Sequence, residues 1–422
     1  MHKALFILIL LTPSILIELP ALGHITVAEL LSIGFVFFGV MQNKKLQISI
    51  VFYTIFLLAC TLLVSNAALL LNLQDFSLSS AAKSFLRLGL LMLATGYCTS
   101  RFQCKDEAVD HVYSIIKIAL LFHAVILLFD LILPSPIYWT ETTRLGFGHD
   151  LSRPRGLFGE PSFYGYYTLL LYSALLSLQP SHKMKLTTFQ HVLYIGSVIA
   201  CGSLSAYFGL GLLGLFFLIL HSREKASYKL PTLSGKSLLL SMLLVISVAP
   251  LLVSPIEYIS SRGAEIFVDG SIDVSGDSST RTRLLGSVLV SEKILTDNLW
   301  LGAGLGGDNF RNLYSQSGDY LELLSVSDQN CVGTGECSAT LGWGAFTFWS
   351  YLLVAGGLPS LVLFYGALVA FYRSNKNIRI FIFTVFVLSN FKAQLFDPFL
   401  WILLATVVTV HQTSKLSERR RI

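Results

Sequence analysis

Three segments of the chain combine residue types that could bind phosphate, and the first is 153–165, which reads RPRGLFGEPSFYG. Arginine can hold a phosphate with two parallel hydrogen bonds, and glycine lets the backbone approach a ligand closely. Pro161 suits the first turn of a helix, which would put Glu160 at the positive end of the helix dipole. Arg153 and Arg155 are therefore candidates for binding a diphosphate. Anchoring of these arginines at lipid headgroups is the alternative, and the added Gly-Glu-Pro-Ser element favours the ligand site.

The second segment, 279–283, reads STRTR and precedes apolar residues at helical spacing between 284 and 295. Its first serine or threonine could cap an amphipathic helix that lies near the outer membrane surface. The helix dipole disfavours arginine on a first turn, whereas an anion bound at that turn would favour it. Arg281 and Arg283 are thus candidates for stabilising a phosphate, and anchoring of the helix at the membrane interface stays equally open.

The third segment, 300–310, reads WLGAGLGGDNF, and a glycine-rich run of this kind can cradle phosphate. It is not a dinucleotide-binding fingerprint, because no strand-to-helix unit surrounds it. Taken alone it favours a plain tight turn. Arg311 follows directly and is a further candidate for binding the diphosphate.

The cysteines divide into two kinds. Cys331 and Cys337 lie close together in a polar stretch, where they could form a disulfide in an oxidising compartment or remain two free thiols. No histidine lies near them, so no metal site is predicted. Cys60, Cys98 and Cys201 fall in apolar stretches and are expected to behave as small core residues.

A few ionisable residues fall within or beside apolar runs, where such residues are candidates for function. Arg87 lies in the outer half of a predicted span, where burial requires a partner, and it is a further candidate for binding diphosphate. Lys392 and Asp397 bracket the short turn before the last span, and placement at the membrane interface is favoured for both.

The elements that must position these residues are membrane helices. The chain has 422 residues, of which 54% are hydrophobic and 13% are charged, and its mean hydropathy is +0.67. Soluble proteins carry about 25% charged residues. The composition therefore excludes an ordinary cytosolic enzyme, a disordered protein and a small disulfide scaffold, and it predicts an all-α polytopic membrane protein. The net charge of +5 comes without a clustered basic patch, so no nucleic-acid partner is predicted.

About twelve transmembrane helices are predicted, and a Cys-Gly-Ser break at 201–203 divides one long apolar stretch into two spans. The apolar runs are 4–20, 25–41, 48–71, 81–99, 112–133, 163–179, 190–204, 205–220, 237–254, 344–371, 379–391 and 396–411. Residues 1–254 would hold nine spans and an outer loop at 134–162. Residues 255–343 would form a large outer loop with short amphipathic helices, and 344–422 would hold the last three spans and a cytoplasmic tail.

Charge distribution orients these spans. Eighteen of the 30 Lys and Arg residues fall in the tails and short loops of one side, which predicts that both termini are cytoplasmic. The large loop, 255–343, contains twelve acidic and five basic residues and would face outward. The few arginines on that outer side are therefore the charges that need an explanation.

Taken together, these motifs and their order resemble the O-antigen polymerase and ligase superfamily over about residues 80–410. The segments 153–165 and 281–310 carry the resemblance, with the Gly-Ser-Leu-Ser piece at 202–205. The resemblance implies a multi-pass glycosyltransferase of the bacterial inner membrane that works without a metal or cofactor. It would join undecaprenyl-diphosphate-linked oligosaccharide units on the periplasmic side. Its partners would be those lipid-linked donors and acceptors, the membrane lipids and a chain-length regulator.

Two other functions stay open. Ligases of this superfamily transfer the finished polymer to lipid A-core and carry an important histidine in the large outer loop. Here no histidine occurs between His221 and His411, which favours a polymerase. A transporter that moves a lipid-linked sugar without catalysis is the other alternative, but its ionisable residues would be expected near mid-membrane.

The expected chemistry assigns a role to each candidate. Arg281 and Arg283 would stabilise the departing lipid diphosphate, and Arg153 and Arg155 would assist or hold a second diphosphate. Glu160 would take the proton of the acceptor hydroxyl or would orient Arg155 through a salt bridge, and both roles stay open.

Overall fold

The structure of the chain is a computed structural model. It describes residues 2–12, 16–19, 23–42, 46, 48–72, 76–100, 108–132, 154, 156–158, 161–178, 186–224, 267–268, 271–272, 287–296, 300–306, 309, 347–390, 395 and 397–421.

Helices dominate the described residues, which contain twelve α-helices and two short antiparallel ribbons. The helices are α1 (His2–Leu11), α2 (Val27–Met41), α3 (Ile50–Asn72), α4 (Leu78–Thr99), α5 (Ala108–Ile132), α6 (Pro161–Leu178), α7 (Thr188–Ala200), α8 (Leu204–Glu224), α9 (Ser287–Thr296), α10 (Phe348–Ser374), α11 (Arg379–Leu388) and α12 (Pro398–Arg421). The strands are β1 (Leu16–Leu19), β2 (Gly23–Thr26), β3 (Phe267–Val268) and β4 (Ser271–Ile272). A single 3-10 turn, Lys376–Ile378, joins α10 to α11.

The helices overlap eleven of the twelve predicted apolar runs, and the remaining run, 237–254, lies outside the described residues. By length and composition, three helical stretches could cross a membrane: Ile50–Leu70, Ala108–Ile132 and Phe348–Ser374. Four other apolar helices are shorter. The prediction of a helical membrane protein is thus confirmed at this level, and the number of twelve spans stays a prediction.

The predicted first span, 4–20, is wrong in its second half. Helix α1 ends at Leu11, and β1 pairs in antiparallel register with β2, Leu16 opposite Thr26. Pro13 and Pro20 give the physical reason, since proline lacks the amide hydrogen that a helix interior requires.

The predicted break at 201–203 is confirmed. Helix α7 ends at Ala200 and α8 begins at Leu204, with a turn between them. The described cysteines also behave as predicted, because Cys98 and Cys201 are buried and Cys60 is half-buried, all three as free thiols.

Helices α6 and α12 occupy the centre of the bundle. Every residue of α6 from Tyr164 to Leu178 is buried, and α6 packs against α5, α8 and α11. Helix α12 contacts α3, α4 and α6, and its Trp401 is fully buried. The first candidate segment packs against α6 through Phe158.

Helix α10 is not one straight span but a sharp V. Gly356 and Gly357 have non-helical backbone angles, and Gly357 has φ +68° and ψ −164°, a conformation that residues with a Cβ rarely adopt. The rings of Phe348 and Phe364 lie 4.5 Å apart between centroids. In a straight helix sixteen residues would separate them by about 24 Å. The arm before the glycines therefore folds back along the arm that follows.

Candidate functional site

The segment before α6 is docked against the end of α5. Residues Pro154 and Phe158 are buried, and the Gly156 N–H donates a hydrogen bond of 3.0 Å to Asp130 Oδ2. Asp130 itself is buried near the end of α5. The predicted start of α6 at Pro161 is confirmed. The described residues of this segment, 154 and 156–158, therefore belong to the packed body of the protein.

Phe158 extends this docking into the bundle. Its ring stacks on Tyr167 at 5.2 Å and meets the ring of His123 at 5.0 Å. The Tyr167 hydroxyl donates a hydrogen bond of 2.7 Å to Asp397 Oδ2. The other oxygen, Asp397 Oδ1, accepts the Phe399 N–H at 2.9 Å and so caps the start of α12. A continuous set of contacts thus joins the first segment to the start of the last helix.

The third segment packs into the break of α10. Residues 300–306, called the glycine loop below, place the Ala303 and Gly304 N–H groups 2.7 and 3.2 Å from the Val354 carbonyl oxygen. In return, the Leu358 N–H donates to the Trp300 carbonyl oxygen at 3.0 Å. The loop thus satisfies backbone groups that the break would otherwise leave unpaired.

Glycine is required where the loop and the break meet. A Cβ on Gly302 would overlap the Val354 carbonyl oxygen, and one on Gly357 would overlap the Trp300 carbonyl oxygen. The expectation of a plain tight turn at this segment was therefore incomplete, because the glycines allow two backbones to approach each other.

Asn66 on α3 fastens the same junction. Its Oδ1 accepts the Leu305 N–H at 2.7 Å, while its Nδ2 donates to the carbonyl oxygens of Leu62 at 2.7 Å and Ala355 at 3.1 Å. The neighbouring Ser65 hydroxyl donates to the Gly356 carbonyl oxygen at 3.2 Å. Adjacent polar side chains of one span therefore hold the loop and the broken helix together.

Helix α9, which follows the second arginine pair, begins against the start of α10. The Ser287 hydroxyl lies 3.1 Å from Thr347 Oγ1 and 3.2 Å from Ser350 Oγ, and these three hydroxyl groups are buried. Thr347 also caps α10 by accepting the Ser350 N–H. Arg281 and Arg283 precede this cluster by six and four residues in the sequence.

The start of α10 lies beside the end of α11. The Phe348 N–H donates to the Ser389 carbonyl oxygen at 2.8 Å, and the hydroxyls of Tyr365 and Ser389 lie 3.1 Å apart. From Ser389 the chain leads within eight residues to Asp397. The contacts of the first segment thus reach Asp397 at the start of α12, and those of the helix after the second arginine pair reach Ser389 at the end of α11.

Arg87 has the partner that its position requires. Its Nε donates to Glu29 Oε1 at 2.9 Å, and its Nη2 contacts the same oxygen. Glu29 Oε2 accepts the Thr26 N–H at 2.8 Å as part of the capping box of α2. The Arg87 side chain is 46% exposed and that of Glu29 is 11% exposed, so the pair has one face open.

Of the predicted site residues, the structure describes Arg87 and Asp397, and it ties Asp397 to Tyr167. The others lie outside the described residues: Arg153, Arg155, Glu160, Arg281, Arg283, Arg311, Lys392, Cys331 and Cys337. For these residues the assigned roles stay predictions.

Several polar residues of the site were missed by sequence reasoning. Asp130, Tyr167 and Asn66 lie within apolar runs, where a polar residue must find a buried partner. That requirement is a usable signal, but it does not name the partner. Asp397 followed by Pro398 is the sequence pattern of a helix start, a signal that the prediction of an interfacial position did not use.

Comparison with known proteins adds no relative, since no family model matches the chain and no curated protein matches it.

The described residues hold the segments next to the candidate arginines in place, but they do not form a complete active site by themselves. The first segment is fixed by α5, α6 and α12, and the helix after the second arginine pair is fixed by α10. The two sets of contacts lead to Asp397 and to Ser389, which lie at the two ends of the connection between α11 and α12. Four arginines on two such segments could hold a multiply charged anion between them.

Proposed function

We propose that the protein is a membrane glycosyltransferase that polymerises undecaprenyl-diphosphate-linked oligosaccharide units on the outer face of the bacterial inner membrane. The observation that supports it best is that the contacts of 154–158 lead to Asp397 and those of α9 lead to Ser389, eight residues away in the sequence. Their residue types suit a lipid diphosphate, and their order resembles the O-antigen polymerases.

In this reaction a hydroxyl oxygen of the acceptor sugar attacks the anomeric carbon of the donor chain. The bond from that carbon to the diphosphate breaks, and undecaprenyl diphosphate leaves with the bonding electron pair. Arg281 and Arg283 would stabilise its developing charge, while Arg153 and Arg155 would hold the acceptor's diphosphate. Glu160 would receive the hydroxyl proton or orient Arg155.

The test is a reconstituted assay with the full chain in liposomes and lipid-linked repeat units extracted from the source cells. We expect a ladder of elongated chains with the wild-type protein, and a loss of at least 100-fold in rate for Arg281→Ala and Glu160→Ala. Arg373→Ala is the matched control. Arg373 is exposed in the last turn of α10, whereas the contacts with α9 lie at the start of that helix. Full-length ladders from both variants, at normal protein levels, would contradict the assignment.

A lipid-linked sugar transporter is the second candidate, and the broken helix α10 favours it, because transporters use broken helices at their binding sites. Here, however, the carbonyl oxygens of Val354, Ala355 and Gly356 at the break already accept hydrogen bonds from the protein. The break is therefore filled rather than open to a substrate.

The same liposomes separate the remaining functions. Movement of the lipid-linked units across the bilayer without new glycosidic bonds would indicate a transporter. Transfer of preformed polymer to added lipid A-core would indicate a ligase.

A further inference from the structure

The docking of the segment 154–158 rests on one buried carboxylate. Asp130 lies near the end of α5 and is 8% exposed, and its Oδ2 accepts the Gly156 N–H. An ionised carboxylate is costly to bury unless it is hydrogen-bonded and paired with positive charge. The Gly156 N–H supplies one such hydrogen bond.

A second contact from the same helix fixes the direction of the segment. His123 lies seven residues before Asp130, about two turns along α5 and on the same face. Its ring packs at 5.0 Å against Phe158, which is fully buried. Helix α5 therefore holds Gly156 by a hydrogen bond and Phe158 by ring packing.

The held residues alternate with the candidate ligands in the sequence. Pro154, Gly156 and Phe158 are fixed, and Arg153 and Arg155 are their direct neighbours. Fixing the backbone at alternate positions limits where the intervening side chains can reach. A preorganised pair of arginines loses less entropy on binding a diphosphate than a flexible pair does.

We infer that Asp130 is the positioning residue of the first arginine pair: it fixes the Gly156 backbone directly after Arg155 and so limits the positions that the pair can reach. This role rests on the proposed function only for the identity of the ligand, an undecaprenyl diphosphate. The holding of the segment itself is independent of that function.

Two variants separate the charge of Asp130 from its hydrogen bond. Asp130→Asn keeps an oxygen that can accept the Gly156 N–H but removes the charge, whereas Asp130→Leu removes both. Asp110→Asn is the matched control, because Asp110 is exposed near the opposite end of the same helix.

The first readout is hydrogen exchange of the peptide that contains 154–158, measured on the full chain in nanodiscs. Asp130→Leu should increase exchange of this peptide at least tenfold, whereas Asp110→Asn should leave it unchanged. Unchanged exchange in Asp130→Leu would overturn the inference, whatever reaction the protein catalyses.

The second readout is function, with undecaprenyl diphosphate as the binding probe and the repeat-unit lipids as substrate. Asp130→Leu should weaken binding and raise KM at least tenfold while kcat stays within threefold, and Asp130→Asn, which keeps the acceptor oxygen, should lose much less. If Asp130→Leu binds undecaprenyl diphosphate as tightly as the wild type, the positioning role is wrong. If the wild type neither binds it nor elongates chains, the proposed function is wrong, and the exchange result still decides the role of Asp130.

Discussion

Tyr167 and Asp397 lie 230 residues apart in the sequence, and the Tyr167 hydroxyl donates a 2.7 Å hydrogen bond to Asp397 Oδ2. The bond joins the middle of α6 to the cap of α12. Because Phe158 stacks on the same tyrosine, Asp397 stabilises the first arginine-bearing segment as well as its own helix.

Removing the Tyr167 hydroxyl should therefore weaken both connections. We expect Tyr167→Phe to lower the free energy of unfolding by about 1–2 kcal/mol, since the lost bond has a charged acceptor. The measurement is a denaturant titration of the purified protein in detergent micelles. Asp397→Asn is the comparison, because the asparagine oxygen can still cap the helix while its Nδ2 can donate to the Tyr167 hydroxyl, which then accepts. It should cost less than Tyr167→Phe, and a larger loss would show that the negative charge matters more than the hydrogen bond.

The break in α10 should depend on glycine at one position. Gly357→Ala places a Cβ against the Trp300 carbonyl oxygen at a backbone φ of +68°, so we expect a loss of at least about 2 kcal/mol in stability. Gly366→Ala is the control on the same helix, because nothing lies within 4 Å of its Cβ position. That substitution should be neutral or stabilising by about 0.5–1 kcal/mol. Thermal unfolding of both variants in one detergent makes the comparison, and equal melting temperatures would contradict this account of the break.

The sequence predicts where the helices of this protein lie better than it predicts the sharp turn within α10. Long apolar runs show where helices lie, and the polar turn at 201–203 divides α7 from α8. The V in α10 was missed because Gly356 and Gly357 lie within an unbroken apolar run, so no change in polarity marks the turn. Pro359, just after them, was the available signal.

The site was predicted less completely than the fold. Motif chemistry names arginines and a glutamate, because charged residues stand out in an apolar chain. It does not name Tyr167 or Asn66, whose importance comes from partners more than 200 residues away. Such pairs depend on which helices pack together, and one sequence alone does not contain that information.

The ion pair of Arg87 and Glu29 gives a test of whether Arg87 binds ligand or only stabilises the fold. A double-mutant cycle with Arg87→Gln and Glu29→Gln should give a coupling of about 0.5–1 kcal/mol, because the arginine is half-exposed. Glutamine at position 29 keeps the capping box of α2, so the cycle isolates the charges. The coupling should shrink in high salt.

Activity distinguishes the two roles of Arg87. If it binds the lipid diphosphate, Arg87→Gln should reduce elongation in the liposome assay much more than Glu29→Gln does. Equal reductions would assign Arg87 to the fold alone.

Helix α9 should lie deeper than a surface helix of an outer loop. Its Ser287 contacts Thr347 and Ser350 at the start of α10. Phe348, which follows Thr347 in the sequence, donates a backbone hydrogen bond to the Ser389 carbonyl oxygen. Ser389 in turn contacts Tyr365, which lies seven residues, or about 10 Å, along the second arm of α10 from Leu358. The start of α9 is thus level with the middle of that arm.

A spin label carried on an unnatural amino acid can measure this depth while the native cysteines stay in place. Val288 is a suitable site because its side chain is 55% exposed, and Ser79 in the first turn of α4 is the surface control. Depth in the membrane is obtained from the relative access of oxygen and of a water-soluble nickel complex to each label. We expect the label at position 288 to lie about 10 Å deeper in the membrane than the label at position 79. Access of the nickel complex at position 288 would further show that α9 borders water at this depth, as an anionic headgroup requires. Equal depths at the two positions would show that α9 lies at the membrane surface. That result would contradict a position of Arg281 and Arg283 near the interior of the bundle.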